Sequence, residues 1–488
     1  MFNTLLKRTA VASNSSSNLL IKSLFNQRAT FTTTTRHTSA FLKNVKKESS
    51  PILVFPQTSS NKSVESKSIV NQVLQSNLLN NQYRFEQQKR FNSSSSSTNQ
   101  ENSEQQQQQQ QQQDKDYDKE IPVPEGDRKV GRWLLFSAGL VGAMIVIGGI
   151  TRLTESGLSM TDWKPIVGAI PPITDKEWEQ EFEKYKQFPE YKVLNQGMTV
   201  DEFKKIFFWE YSHRLLGRVI GVAFFFPFVY YLKKGYINKP LAKKLSVIFL
   251  LGGAQGALGW YMVKSGLDEK TIIGEVPRVS PYRLAAHLGS AFVIYAALLS
   301  IGLGLVRPGL SRAMIDRLKA AASSSQISNF VPRLKKYSHY TAGAVFLTAM
   351  SGAFVAGLDA GLVHNTWPKM GDDWIPEDII NPKIKPVYKN AFEHDVMAQF
   401  NHRNLATLTY FGILGLSAFA FRGRKCLSPR ARLAANCLAG MATFQVALGI
   451  TTLLTFVPIP LAAAHQTGSL TLLSIAIWLM HELKKLPK

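Results

Sequence analysis

The sequence predicts an all-α polytopic membrane protein in which eight transmembrane helices form two tandem, pseudo-symmetric four-helix bundles. Three observations lead there. From Trp133 onward, apolar stretches of about 20 residues recur, the length a helix needs to cross the hydrocarbon layer. These stretches fall into two sets of four that carry matching motifs in the same order. Lys and Arg gather in alternate loops, as expected when basic loops stay on the side that is not translocated.

The segments before the first span have a different character. The 488-residue chain is 45% hydrophobic with a formal charge of +23, a value that alone would suggest a nucleic-acid binder. The placement of the charge argues for no nucleic-acid partner. Residues 1–47 hold eight Lys or Arg and no Asp or Glu among many Ser and Thr, the signature of a mitochondrial transit peptide. Residues 48–120 are rich in Ser, Asn and Gln, with an unbroken glutamine run at 105–113, and lack the apolar content to build a core. They read as a disordered spacer. Two cysteines, Cys426 and Cys437, exclude a disulfide scaffold or a Cys-ligated cluster.

The spans are expected at 133–151, 206–231, 245–263, 282–305, 340–358, 397–421, 433–456 and 461–481. The domains are accordingly an N-terminal bundle over 133–305 and a C-terminal bundle over 340–481. Pro458 and Pro460 in "VPIP" force a hairpin between the last two spans. Residues 306–338 hold seven Lys or Arg against Asp316 alone, and "RGRKCLSPRAR" follows span six. By contrast, 152–205 hold eight basic against ten acidic residues, and 359–401 hold four against seven. In a mitochondrial inner membrane, both termini and the basic loops then face the matrix.

The two halves align through Gly148/Gly352, Gly157/Gly361, Leu158/Leu362 and Trp163/Trp367. Three further pairs follow: "EYSHR" with "QFNHR", "AQGALG" with "FQVALG", and "RLAAHLGS" with "LAAAHQTGS". Four spans per copy give both halves the same sense in the bilayer. Each half then carries two histidines on different helices, His213 with His287 and His402 with His465. At 1.5 Å rise per residue each lies ~10 Å below the start of its span. Paired imidazoles within apolar, Gly-rich walls suit the two axial positions of a haem iron. Arg214 and Arg403, next in sequence to the first histidine of each pair, suit either haem propionates or interface anchoring. Gln255 and Gln445 suit interhelical hydrogen bonds. Glu210, three residues before His213, is replaced by Gln399 in the second half, which points to proton-coupled chemistry in one bundle. The alternative is an ion pair with Arg214 at i+4. His37, His339, His364, His394 and His481 have no repeat partner and are expected to lack a role in the chemistry.

"GGITRLTESGLSMTDWKPIVGAIPP", "EYSHRLLGR", "HLGSAF", "FNHR" and "AAAHQTGSL" together resemble the haem A synthases of mitochondria and aerobic bacteria, in register from about Trp133 to His481. The resemblance implies an enzyme that oxidises the C8 methyl group of haem O to a formyl group, giving haem A for cytochrome c oxidase. It implies a haem O/haem A site at His213 and His287 with Glu210 as the essential carboxylate, and a resident haem B at His402 and His465. Residues 152–205 lack the cysteine pair of some bacterial members, which excludes a thiol mechanism. The partners it implies are an unidentified electron-transfer protein, haem O synthase, oxidase assembly factors and a second copy in a homo-oligomer, all within the lipid bilayer. Two rivals use overlapping features. A di-haem electron-transfer cytochrome would need the four histidines but not Glu210, and a transporter would need polar groups near the midplane.

Overall fold

Long apolar stretches produce eight long helices. They are α1 (Glu125–Leu153), α2 (Val200–Lys233), α3 (Lys239–Leu267), α4 (Pro281–Val306), α5 (Phe330–Gly357), α6 (Asp395–Arg422), α7 (Pro429–Leu454) and α8 (Ile459–Lys484). A computed structural model of the chain describes residues 82–84, 86–90, 116–163, 167–267, 277–324 and 329–486. Among these residues the only β pairing is an isolated bridge between Met370 and Asp373. Seven of the helices, α1 to α7, are long and apolar enough to cross a membrane. The last, α8, has the length, but the polar run His465-Gln466-Thr467 dilutes its apolar content.

Several helices run past the apolar stretches that announce them. Thr199 and Glu202 form a reciprocal capping box that starts α2 six residues before the expected 206. Pro281, Pro429 and Pro460 sit in the first turn of α4, α7 and α8, where a missing N–H costs nothing. Pro458 caps α8 and closes the expected hairpin. Both α1 and α5 give way to a left-handed residue at matching repeat positions, Glu155 (φ 52°) and Asp359 (φ 51°).

The expected transit peptide at 1–47 lies outside the described residues, as does most of the spacer. Within the spacer, residues 82–84 and 86–90 are helical and exposed. The order that leads into α1 begins before residue 120, because the Tyr117 hydroxyl donates to Asp316 and Glu120 pairs with Arg430 at 3.0 Å.

Within the unit from Ser95 to Lys488, α1 packs against α2 and α4, and α3 against the same two helices. Likewise α5 and α7 each pack against α6 and α8. In each set of four, the two histidine-bearing helices thus lie across the ring from one another. The sets meet where α4 touches α5 and α8, and where α8 touches α1. Lipid tails are as apolar as leucine, so tight packing and hydrogen bonds must hold such a seam. Tyr295 and Ser474 hydroxyls lie 2.7 Å apart between α4 and α8, and Gln466 donates to the Ile145 carbonyl of α1 at 2.9 Å. Asp359 accepts from both Arg152 and Arg278 at 2.9 Å, tying the end of α5 to residues of the first half.

A close backbone approach joins α1 to α4. A Cβ on Gly131 would lie 3.1 Å from the Gly302 carbonyl, and one on Gly302 would lie 3.2 Å from the Gly131 carbonyl. Gly302→Val is therefore expected to overpack this seam and cost about 1–3 kcal/mol, read as a lower melting temperature in detergent. A melting temperature equal to wild type would show that the two helices have room to separate.

Candidate functional site

His213 lies on α2 and His287 on α4, and their ring centroids are 6.5 Å apart with planes at 65°. With metal–imidazole bonds of about 2.0–2.1 Å, and roughly 1 Å from nitrogen to ring centre, two rings sharing one metal have centroids about 6 Å apart. The observed spacing therefore suits a metal between them. No group of three or more His, Cys, Asp or Glu suited to a bare metal ion occurs among the described residues. A haem, whose porphyrin supplies the equatorial nitrogens, needs only the axial pair.

All four histidines share a supporting feature. Each ring lies against a glycine of a neighbouring helix: His213 on Gly148, His287 on Gly259, His402 on Gly352 and His465 on Gly449. A Cβ at those glycines would stand 3.0 Å from His213 Nε2, or 3.1, 3.1 and 2.7 Å from Cε1 of the other three. Such distances are at or below the limit of ordinary contact. Glycine thus gives room to the Nε2 edge of His213 and to the Cε1 corner of the other three rings. Gln255 on α3 donates to the His287 carbonyl at 3.2 Å, and Gln445 on α7 donates to the His465 carbonyl at 2.9 Å. Both glutamines pin the helices as the sequence suggests. Ser351 Oγ lies 2.8 Å from His402 Nδ1.

Glu210 is only 3% exposed. Its carboxylate accepts from Ser159 Oγ at 2.8 Å, from the Met160 N–H at 2.7 Å and from the Arg214 guanidinium. The i,i+4 pair with Arg214 is thus present, but as part of a buried cluster that also clamps the loop after α1. At the matching place Gln399 donates instead to the His364 carbonyl at 3.2 Å. Arg214 also donates to the carbonyls of Met160 and Asp162, and Arg403 to those of His364 and Lys369. Both arginines therefore tie their helix to the chain that follows α1 or α5. Arg403 Nε is buried without a hydrogen-bond partner among the described residues, leaving one donor for an added acceptor.

Comparison with known proteins resolves the family. Residues 131–477 match the family model of the COX15-CtaA cytochrome oxidase assembly proteins. The chain belongs to this family. It is 49% identical to "Heme A synthase COX15" of Bos taurus over 75% of this chain and 85% of that protein. It is 46% identical to the plant protein of that name from Arabidopsis thaliana, over 74% of this chain and 76% of the relative. A bacterial "Heme A synthase" from Nitrosospira multiformis is 46% identical over 73% of this chain and 94% of its own length. The membrane unit is the shared part, and the histidine pairs, their glycines and Glu210 all fall inside it.

Of the other histidines, His37 lies outside the described residues, and three make local contacts. His339 bonds the Lys335 carbonyl of its own helix, and His394 precedes α6 with Nδ1 near the Ile379 carbonyl. His364 contributes its backbone carbonyl to Gln399 and Arg403.

Two buried carboxyls besides Glu210, Glu190 and Glu482, carry no mark in the sequence. Glu190 lies in the short helix Pro189–Val193 and is 4% exposed. Tyr185 donates its hydroxyl to it at 3.0 Å, and Asn195 donates to Tyr185 at 2.7 Å. Burial, reinforced by Glu210 and Glu155, pushes the Glu190 carboxyl up to about 8 from an ordinary 4.5. The folded protein therefore binds a proton there that the unfolded chain releases above about 4.5. This contribution to stability is complete at acidic pH, declines as pH rises toward about 8, and then levels off. Glu190→Gln is expected to flatten that decline in melting temperature between pH 5 and 9. A slope unchanged by the substitution would assign the pH dependence to other groups.

Proposed function

We propose that this chain is a haem A synthase of the mitochondrial inner membrane that oxidises the C8 methyl group of haem O to a formyl group. The family membership and the synthase names of its relatives support the enzyme reading over a purely electron-transferring cytochrome. The observation that carries the site assignment is the repeated unit of two histidines on opposing helices, each backed by a glycine, with Glu210 in one copy and Gln399 in the other. In this reading α8 is the eighth span, and α1–α4 and α5–α8 are two bundles related by an approximate two-fold axis along the membrane normal. The neighbour pattern of the helices supports it, since each contact within the first set has its counterpart in the second.

His213 and His287 hold the substrate haem O between α2 and α4, and His402 and His465 hold a resident haem B between α6 and α8. Haem B, when bound, supplies a one-electron relay toward the unidentified acceptor. The residues of the first bundle do the rest. A methyl group is unreactive, and its oxidation to a formyl group consumes water while releasing electrons and protons. Glu210 stands one helical turn from His213, with Ser159, Met160 N–H and Arg214 all donating to it, the partner set an ionised carboxylate accepts. It acts there as a fixed negative charge that stabilises positive charge developing at the methyl carbon, or as the acceptor of the departing proton. Arg214 keeps the carboxylate and the outer loop together over the site, limiting access of bulk water.

Glu210→Gln, which copies the second half, is expected to retain the fold and both haems while methyl oxidation falls on the order of a hundredfold or more. Haem A per enzyme, measured in cells carrying only this variant, checks it. Near-normal haem A would remove Glu210 from the reaction and leave it a structural partner of Arg214.

The orientation rests on the loop charges and has its own test. Trypsin added outside mitoplasts should cut at exposed positions such as Lys176 and spare Arg312, Arg317 and Lys319, which are exposed on the basic loop. Cleavage of the basic loop in sealed mitoplasts would reverse the topology.

A further inference from the structure

The two histidine pairs differ in what supports their outer ring nitrogens, and the difference follows the division between the halves. Ser351 donates its hydroxyl proton to the Thr348 carbonyl at 2.8 Å, so its lone pairs are left to accept from His402 Nδ1 at 2.8 Å. A histidine with its proton on Nδ1 presents an unprotonated Nε2 to a metal, and such outer partners fix ring orientation and strengthen the ligand. At the matching position, next to Gly148 as Ser351 is next to Gly352, the first half has Ile147, which offers the ring nothing. On the opposing ligand, Gln445 Nε2 donates to the His465 carbonyl at 2.9 Å and turns an N–H, not an acceptor, toward His465 Nδ1 at 3.1 Å. Gln255 reaches only the His287 carbonyl, and His287 Nδ1 is buried with no hydrogen-bond partner among the described residues.

We propose that Ser351 is a positioning residue that locks a permanently held haem in the second half, and that Ile147 leaves the first pair unlocked so that its haem can enter and leave. The proposal rests on the haem assignment above and explains how one repeated scaffold yields a storage site and a turnover site. A synthase must release its product, so a ligand pair without an acceptor at its outer nitrogens serves the first half, whereas the second half gains from slow loss.

The test uses purified full-length protein, with transfer of haem B to apomyoglobin as the measure of loss. Ser351→Ala should speed loss of haem B roughly tenfold or more, the usual scale for removing a ligand's outer partner. It should also raise the haem B midpoint potential, because a ligand without an acceptor on Nδ1–H stabilises ferric iron less. Ser351→Thr keeps the hydroxyl and should restore both values, which a general loss of packing would not allow. The reciprocal Ile147→Ser should slow loss of the haem O or haem A that copurifies. Wild-type transfer rate and potential in Ser351→Ala would overturn the lock, and an unaltered Ile147→Ser protein would overturn the explanation for the exchanging site. His402→Ala separates this from the parent reading. If it strips haem B while Ser351→Ala behaves as wild type, only the lock fails; if it retains haem B, the assignment of haem B to this pair fails and the lock with it.

Discussion

An imidazole ring can face the interior of a tight helical bundle only where the neighbouring helix has no Cβ in its way. The contact between histidine and glycine occurs four times here, once for each pair of neighbouring helices α1/α2, α3/α4, α5/α6 and α7/α8. Much of the remaining arrangement follows from it. Helices α2 and α4 must lie across a ring of four for their histidines to meet, and α1 and α3 must lie beside them to bring the glycines. The same holds for the second set. In lipid, where apolar surface gives no preference for one helix partner over another, these small-residue contacts and the glutamine bonds to histidine carbonyls set the register.

The outer loops add what the helices alone do not provide. Arg214 and Arg403 bind carbonyls of the chain that leaves α1 and α5. In the first half this loop also delivers Ser159 and the Met160 N–H to Glu210, so the charged carboxylate is surrounded rather than merely paired. The half with Gln399 needs no such enclosure, and its glutamine makes a neutral bond to His364. On the function we propose, differences of single residues on a duplicated frame, Glu210 against Gln399 and Ile147 against Ser351, separate a site of reaction from a site of retention.

Much of this was legible in the sequence, because span length and duplication are both one-dimensional signals. Four histidines that would each have passed for a core residue stood out once the motifs repeated in order. Gly148 and Gly352 were visible as repeat matches, but their purpose was not, since packing against a ring on another helix is a tertiary fact. The capping box at Thr199 and Glu202 was readable and would have placed the start of α2 correctly, outside its apolar run. The polar stretch of α8 shows the opposite effect: the sequence predicts a span at 461–481, and His465-Gln466-Thr467 keep the hydropathy of that helix below that of the other seven. Ser159, Ser351 and Glu190 could not have been singled out, for their neighbours in sequence are not their neighbours in space.

The claim on which the account stands is that one chain holds two chemically different haems, each between two histidines. Pigment extraction and low-spin ferric electron paramagnetic resonance of the purified wild-type protein test it directly. The account predicts one haem B together with haem O or haem A per chain, and signals typical of paired imidazole ligands. Haem B alone would leave a cytochrome with no substrate site, and a protein without haem would contradict the account altogether.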